Sequence, residues 1–187
     1  MISKDAGREL DRAIERDLHA VPEPVRTAYV LGIDTGPTSA ITLLELEWAT
    51  GKLGARVFAC SAGAAEWLLR ALLDDIEDRC GPGEIRGGIE GIAPGNGPGM
   101  RVKTGKITRD LVEDLAGVCA EYGVPLTARY ASVAKTWATD NRLRKAGLYQ
   151  LTGKSPDMRD ASRHSLLEAC QNCGWPDPIS RRKAAPR

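Results

Sequence analysis

The chain reads as an α/β domain in which a mixed, five-stranded sheet is flanked by helices. Three observations predict this. Three strand-like runs follow one another between residues 27 and 60, with only short turns between them. From residue 63 onward the pattern changes to helix, strand, helix, strand, helix. Finally, 187 residues at 42% hydrophobic content suit one domain with a buried core. Strands joined by tight turns pair antiparallel, and strands separated by helices pair parallel, so the sheet carries both senses.

Residues 4–19 form a charged helical pattern with Leu10, Ile14 and Leu18 on a narrow stripe, ended by Pro22 and Pro24. They make residues 1–26 an extension that packs on the domain or on a partner subunit. The strands are expected at 27–34, 38–48 and 53–60, with turns at Gly36-Pro37 and Thr50-Gly51-Lys52. A helix over 63–79 places Trp67, Leu68, Ala71, Leu72 and Ile76 on one side, and Gly81-Pro82-Gly83 stops it. The fourth strand is expected at 85–91. Residues 91–106 are dense in Gly and Pro, the mark of a mobile and functional loop. A helix over 107–122 turns Leu111, Leu115, Val118 and Cys119 inward. A fifth strand follows at 125–129, then a partly helical segment at 132–150 and a last helix at 157–171. The domain is read as 27–174. Residues 175–187 form a basic tail expected to be disordered.

The net charge is only +1, so any surface that attracts nucleic acid must be local. No apolar run approaches the ~20 residues that span a bilayer, and the polar N-terminus lacks the apolar centre of a secretory signal. A cytoplasmic protein is expected. The five cysteines are scattered and odd in number, which argues against a disulfide framework. Cys170 and Cys173 form a lone CxxC, read as ordinary thiols at a helix end rather than half of a zinc site.

Four acids stand out. Asp34 closes an apolar strand, Ala28-Tyr29-Val30-Leu31-Gly32-Ile33-Asp34, and Glu90 closes another, Arg86-Gly87-Gly88-Ile89-Glu90. Asp157 and Asp160, three residues apart, share one face at the start of the last helix. Singly, each has an ordinary explanation as a cap, a turn former or a salt-bridged strand end. Carboxylates gathered at the ends of core elements need positive charge among them, and divalent cations are the usual source.

With these residues in place, the chain resembles the RuvC family of Holliday-junction resolvases, within the RNase H-like superfamily. Leu31-Gly32-Ile33-Asp34-Thr35-Gly36-Pro37 is similar to that family's opening strand and first catalytic aspartate. Gly88-Ile89-Glu90 is similar to the strand that presents its glutamate. Asp157-Met158-Arg159-Asp160-Ala161 is similar to the DxxDA that opens its last helix. Val133-Ala134-Lys135-Thr136 looks like its lysine-bearing segment. The resemblance covers about residues 27–172. It implies an RNase H-like fold in which Asp34, Glu90, Asp157 and Asp160 are catalytic. They would hold two Mg²⁺ or Mn²⁺ ions about 3.5–4 Å apart for phosphodiester hydrolysis. It implies a homodimer that cuts four-way or branched DNA symmetrically, in a bacterium or as a viral protein acting in a bacterial cell.

Arg101, Lys103, Lys106 and Arg109 follow Glu90 closely and are expected to contact DNA phosphates, as is Lys135. His164 lies four residues beyond Asp160. It is either an auxiliary proton shuttle or metal contact, or a helix histidine packed below the site, and the second reading is favoured. The chain departs from the family in its N-terminal extension and in the lack of an aromatic residue after Glu90. Competing readings are a less selective RNase H-like nuclease on flaps or RNA–DNA hybrids, and a non-catalytic nucleic-acid-binding module. The Gly32–Ser39 segment also resembles the phosphate motif of actin-like ATPases, but those need two such domains, and the chain is too short for both.

Overall fold

The computed structural model describes residues 27–79, 84–91 and 103–180. The expected helix over 4–19, the turn at 81–83, the loop from 92 through Arg101 and the tail from 181 lie outside the described residues. The elements run β1 (Thr27–Asp34), β2 (Thr38–Glu47), β3 (Lys52–Ser61), α1 (Ala62–Glu77), β4 (Ile85–Glu90), α2 (Lys103–Glu121), β5 (Leu126–Arg129), α3 (Ala131–Trp137), α4 (Asp140–Lys145) and α5 (Pro156–Asn172).

The five strands form one sheet in the order β3-β2-β1-β4-β5. β1, β2 and β3 pair antiparallel, while β4 lies parallel to β1 and β5 parallel to β4. This is the mixed α/β sheet expected from sequence. The β2–β3 turn closes at Gly51, whose φ of 66° suits a residue without Cβ.

Alternation along the strands sends successive side chains to opposite faces. Leu31, Ile33, Ile41 and Leu43 face α1 and α2, whose buried residues include Leu69, Leu73, Ile76, Leu115 and Val118. Val30, Leu44 and Leu46 face the other way, toward Leu143, Leu148 and Leu166.

Several expectations need correction. Trp67 and Ala71 are exposed, and the buried stripe of α1 is Ala65, Leu69, Leu72, Leu73 and Ile76. That stripe keeps the i, i+3, i+4 spacing of a single face, which leaves Trp67 pointing away from it. Helix α2 begins at Lys103, so Lys103 and Lys106 belong to its first turns and not to a loop. The segment 132–150 is partly helical as expected, through the short helices α3 and α4, with Thr139 capping the second by accepting from the Arg142 amide. The packed body also continues into the segment expected as tail. Trp175 is buried edge-on against Trp48, and Asp177 pairs with Arg142 at 3.1 Å.

Candidate active site

The position of α5 decides the site. Ser155 caps the helix, its hydroxyl accepting from the Met158 amide at 3.2 Å, and Pro156 stands at the first turn. The helix then crosses directly over β1 and β4. A Cβ on Gly32 would meet the Ala161 carbonyl oxygen at 2.0 Å and the Ser165 amide at 2.5 Å. A Cβ on Gly88 would meet the His164 carbonyl oxygen at 3.0 Å. At Gly32 only glycine lets helix backbone rest on sheet backbone, and at Gly88 a Cβ would crowd the helix. Small polar groups fill the seam: Thr42 and Ser162 share a buried hydrogen bond of 3.0 Å.

This seat brings the acids together. Ile33 pairs with Ile89, so Asp34 and Glu90 follow one another at the ends of adjacent parallel strands. Each lies two residues beyond a glycine that faces α5, so alternation turns both carboxyl groups to the α5 side. Asp34 is buried, at 7% exposure, and makes a side-chain hydrogen bond with Glu90. Its acidity reports the cluster. Burial, the Glu90 hydrogen bond, and then the charges of Glu90, Asp160 and Asp157 hold it far above the ordinary carboxylate range. The charges of the other three sequence-selected acids are thus all felt at Asp34.

Cations answer part of that charge. Lys135 Nζ lies 2.8 Å from Asp160 Oδ2. That hydrogen bond, and then the charges of Asp160, Glu90 and Asp34, hold its ammonium group above the usual lysine range. Arg163 grips the other oxygen of Asp160, pairs with Asp140 at 2.5 Å, and donates through Nε to the Ala138 carbonyl at 3.2 Å. Sequence reasoning missed Arg163 and Asp140, which are 23 residues apart and form no pattern. Glu168 was also missed. It is fully buried on α5 and accepts from Arg129 at 2.6 Å, Asn172 at 2.9 Å and Thr127 at 3.3 Å, tying α5 to β5.

His164 is fully buried, and neither ring nitrogen has a hydrogen-bond partner among the described residues. Burial pushes its pKa down to about 4, against the pull of Glu90 and Asp160. Of the expected DNA contacts, Arg109 is exposed on α2. The side chains of Lys103 and Lys106, and all of Arg101, lie outside the described residues.

The residues fit divalent cations chemically. The donors are hard carboxylate oxygens, their mutual repulsion is incompletely neutralised, and the buried Thr35 hydroxyl beside Asp34 has no partner among the described residues. As placed, no three His, Cys, Asp or Glu side chains among the described residues converge closely enough to ligate one ion. Asp160 is turned to Lys135 and Arg163 instead.

A mixed sheet in this order, with a helix holding acids over the ends of its first and fourth strands, is the RNase H-like fold. Among solved structures, the chain is similar to Thermus thermophilus RuvC in complex with a Holliday junction substrate. The TM-score is 0.51 and the identity 17%, covering 76% of this chain and 92% of that one. It is likewise similar to a second Thermus thermophilus RuvC structure, at TM-score 0.51 and 16% identity, covering 75% of this chain and 93% of that one. No protein-family model matches the sequence, and no curated protein matches it. The likeness establishes a RuvC-like fold. No described helix is long and apolar enough to cross a membrane.

Proposed function

We propose that this protein is a divalent-metal-dependent endonuclease that cuts four-way or otherwise branched DNA. The observation that carries the reading is the meeting of Asp34 and Glu90 at adjacent strand ends, under the field of Asp157 and Asp160 on α5. Asp34, Glu90, Asp157 and Asp160 would hold Mg²⁺ or Mn²⁺. When bound, two such ions supply an activated water and stabilise the leaving oxygen in phosphodiester hydrolysis.

The chain's own residues prepare that chemistry. Arg163 fixes Asp160 from one side, anchored in turn by Asp140. Lys135 places a half-exposed ammonium at the edge of the acids, where an entering phosphate meets it. His164 stays neutral and packed beneath, so its role is support. The likeness to a RuvC–junction complex supports a four-way substrate, and a two-fold junction suits a homodimer with two such sites.

Asp34→Asn and Asp160→Asn should each lower Mg²⁺-dependent cleavage at least ~10³-fold, about 4 kcal/mol of barrier, while junction binding survives. Full activity of either variant would sink the reading. A matched panel of junction, flap, splayed arm, linear duplex and RNA–DNA hybrid sets the substrate class. A second readout needs no cleavage. A carboxyl held above its ordinary range favours the fold below that range and loses this contribution as pH rises. At neutral pH without metal, Asp34→Asn should therefore raise Tm by ~2–4 °C for each kcal/mol relieved. Mg²⁺ should stabilise the native protein and not this variant.

A further inference from the structure

The cations of this protein are unevenly satisfied. Fourteen Lys and Arg side chains are described, and nine of them form ion pairs. Of the five that pair with no carboxylate among the described residues, one is Arg109. The other four are Arg144, Lys145, Lys154 and Arg159, all between α4 and the first turn of α5. The composition explains the surplus. Between Tyr122 and Leu167 there are eight Lys and Arg against three acids. Asp140 is taken by Arg163, while Asp157 and Asp160 face the candidate active site.

The four are organised rather than scattered. The Arg144 guanidinium carbon lies 4.2 Å from the centroid of the Tyr149 ring, and that of Arg159 lies 4.8 Å from the same centroid. One half-buried ring thus holds two like charges with no carboxylate between them. Stacking orients a guanidinium while leaving its N–H edge free, which is the geometry that binds phosphate oxygens in pairs. Arg159 Nη2 makes only a long contact to the Gly153 carbonyl, at 3.4 Å. Its Nε is buried without an acceptor among the described residues. Arg142 shows the contrast: it also lies over an aromatic ring, Trp137, but its charge is spent on Asp177.

We propose that Arg144, Lys145, Lys154 and Arg159, organised on Tyr149, form a phosphate-binding surface that holds the DNA strand flanking the cut. The inference rests on the nuclease reading for its substrate. Arg159 sits on α5 between Asp157 and Asp160, yet turns to another side of the helix. A helix with side chains is about 10–12 Å across, and phosphates on one strand advance ~3.4 Å apiece along a duplex axis. The surface therefore meets backbone about three phosphates from the acids. A polyanion whose next segment passes a carboxylate-and-metal site satisfies both surfaces, and a nucleic-acid backbone is such a polyanion.

The test measures binding without catalysis. Asp34→Asn protein is titrated against a fluorescent four-way junction and a linear duplex at several KCl concentrations, without divalent metal. Adding Arg144→Gln and Arg159→Gln should lower the log–log salt slope by about two units on both DNAs. Arg144→Lys with Arg159→Lys should keep the slope, since charge remains, and lose affinity, since the planar fork is gone. Should the Gln pair fail to fold, Lys145→Gln with Lys154→Gln gives the same reading. Both of those side chains are exposed and make no hydrogen bond or ion pair among the described residues. Unchanged slopes in both double variants would overturn the proposal. That outcome is separable from failure of the nuclease reading, which is decided by whether Asp34→Asn still cleaves.

Discussion

The two faces of the sheet are built on opposite principles. Toward α1 and α2, β1 offers Leu31 and Ile33, and large side chains interlock across the gap. Toward α5, the same strand offers Gly32 and Asp34, and helix backbone lies on strand backbone with Ser and Thr in the seam. The first face gains its strength from apolar area removed from water. The second keeps an apolar cluster around Val30, Leu44, Leu46 and Leu166, but beside it buries His164, Glu168 and Asp34. The first face is apolar throughout, and the second gives part of its area to buried polar groups near the acids.

The sharpest way to break this contrast is to damage each face once. Leu115→Ala, on the apolar face, should cost about 2–5 kcal/mol in denaturant unfolding while folded protein cleaves at the native rate. Gly32→Ala should cost roughly 1–3 kcal/mol or more by overpacking. Its cleavage should fall well beyond the loss of folded protein, because α5 must lift and carry Asp157 and Asp160 away. Equal specific activity in the two variants would erase the distinction.

The next effect is a pH dependence confined to the α5 face. His164 titrates near 6.5 when unfolded and about 4 in the fold. The unfolded chain takes up the proton first, so this contribution is complete above pH 6.5 and is lost as pH falls through 4. It amounts to roughly 3 kcal/mol by pH 4. Chemical denaturation between pH 7 and 4 should show the loss, and His164→Gln should flatten it. An unaltered slope in that variant would mean that His164 is not buried neutral. The smallest effect belongs to neither face. Trp67 is 73% exposed, and Trp67→Ala should change stability by less than ~0.5 kcal/mol. A larger loss in dilute monomer would show that Trp67 is covered.

Much of the fold was legible because element order and turn chemistry are local. Gly51 marks a hairpin, and β1 and β4 each present a short apolar run that ends in an acid. The inward residues of α2 were also legible, since Leu111, Leu115, Val118 and Cys119 repeat at helical spacing and all are buried. Trp67 misled because large apolar residues on α1 were assigned to the core by type, whereas the buried stripe follows Ala65 and Leu69. The start of α2 was obscured by the glycines around it, whose weak helix propensity the structure overrides at Gly105. Asp140, Arg163 and the Glu168–Arg129 pair were not legible at all. Ion pairs between distant segments leave no periodicity, and an acid within Leu166-Leu167-Glu168-Ala169 was the single available hint that α5 buries a charge.

The bare contact at Gly32 and Gly88 has a consequence for motion. Where side chains separate two elements, rotamer hops on the picosecond-to-nanosecond scale let the elements drift against one another. At Gly32 and Gly88 only short side chains such as Ser162 and Ser165 lie near the contact of α5 with strand backbone, so the gap there has few soft coordinates. The backbone spacing between α5 and strands β1 and β4 is therefore expected to be stiff on that fast scale. It changes only when a whole segment lifts, a slower and collective event. Such a seat works as a fixed bearing for the backbone positions that carry Asp34, Glu90, Asp157 and Asp160.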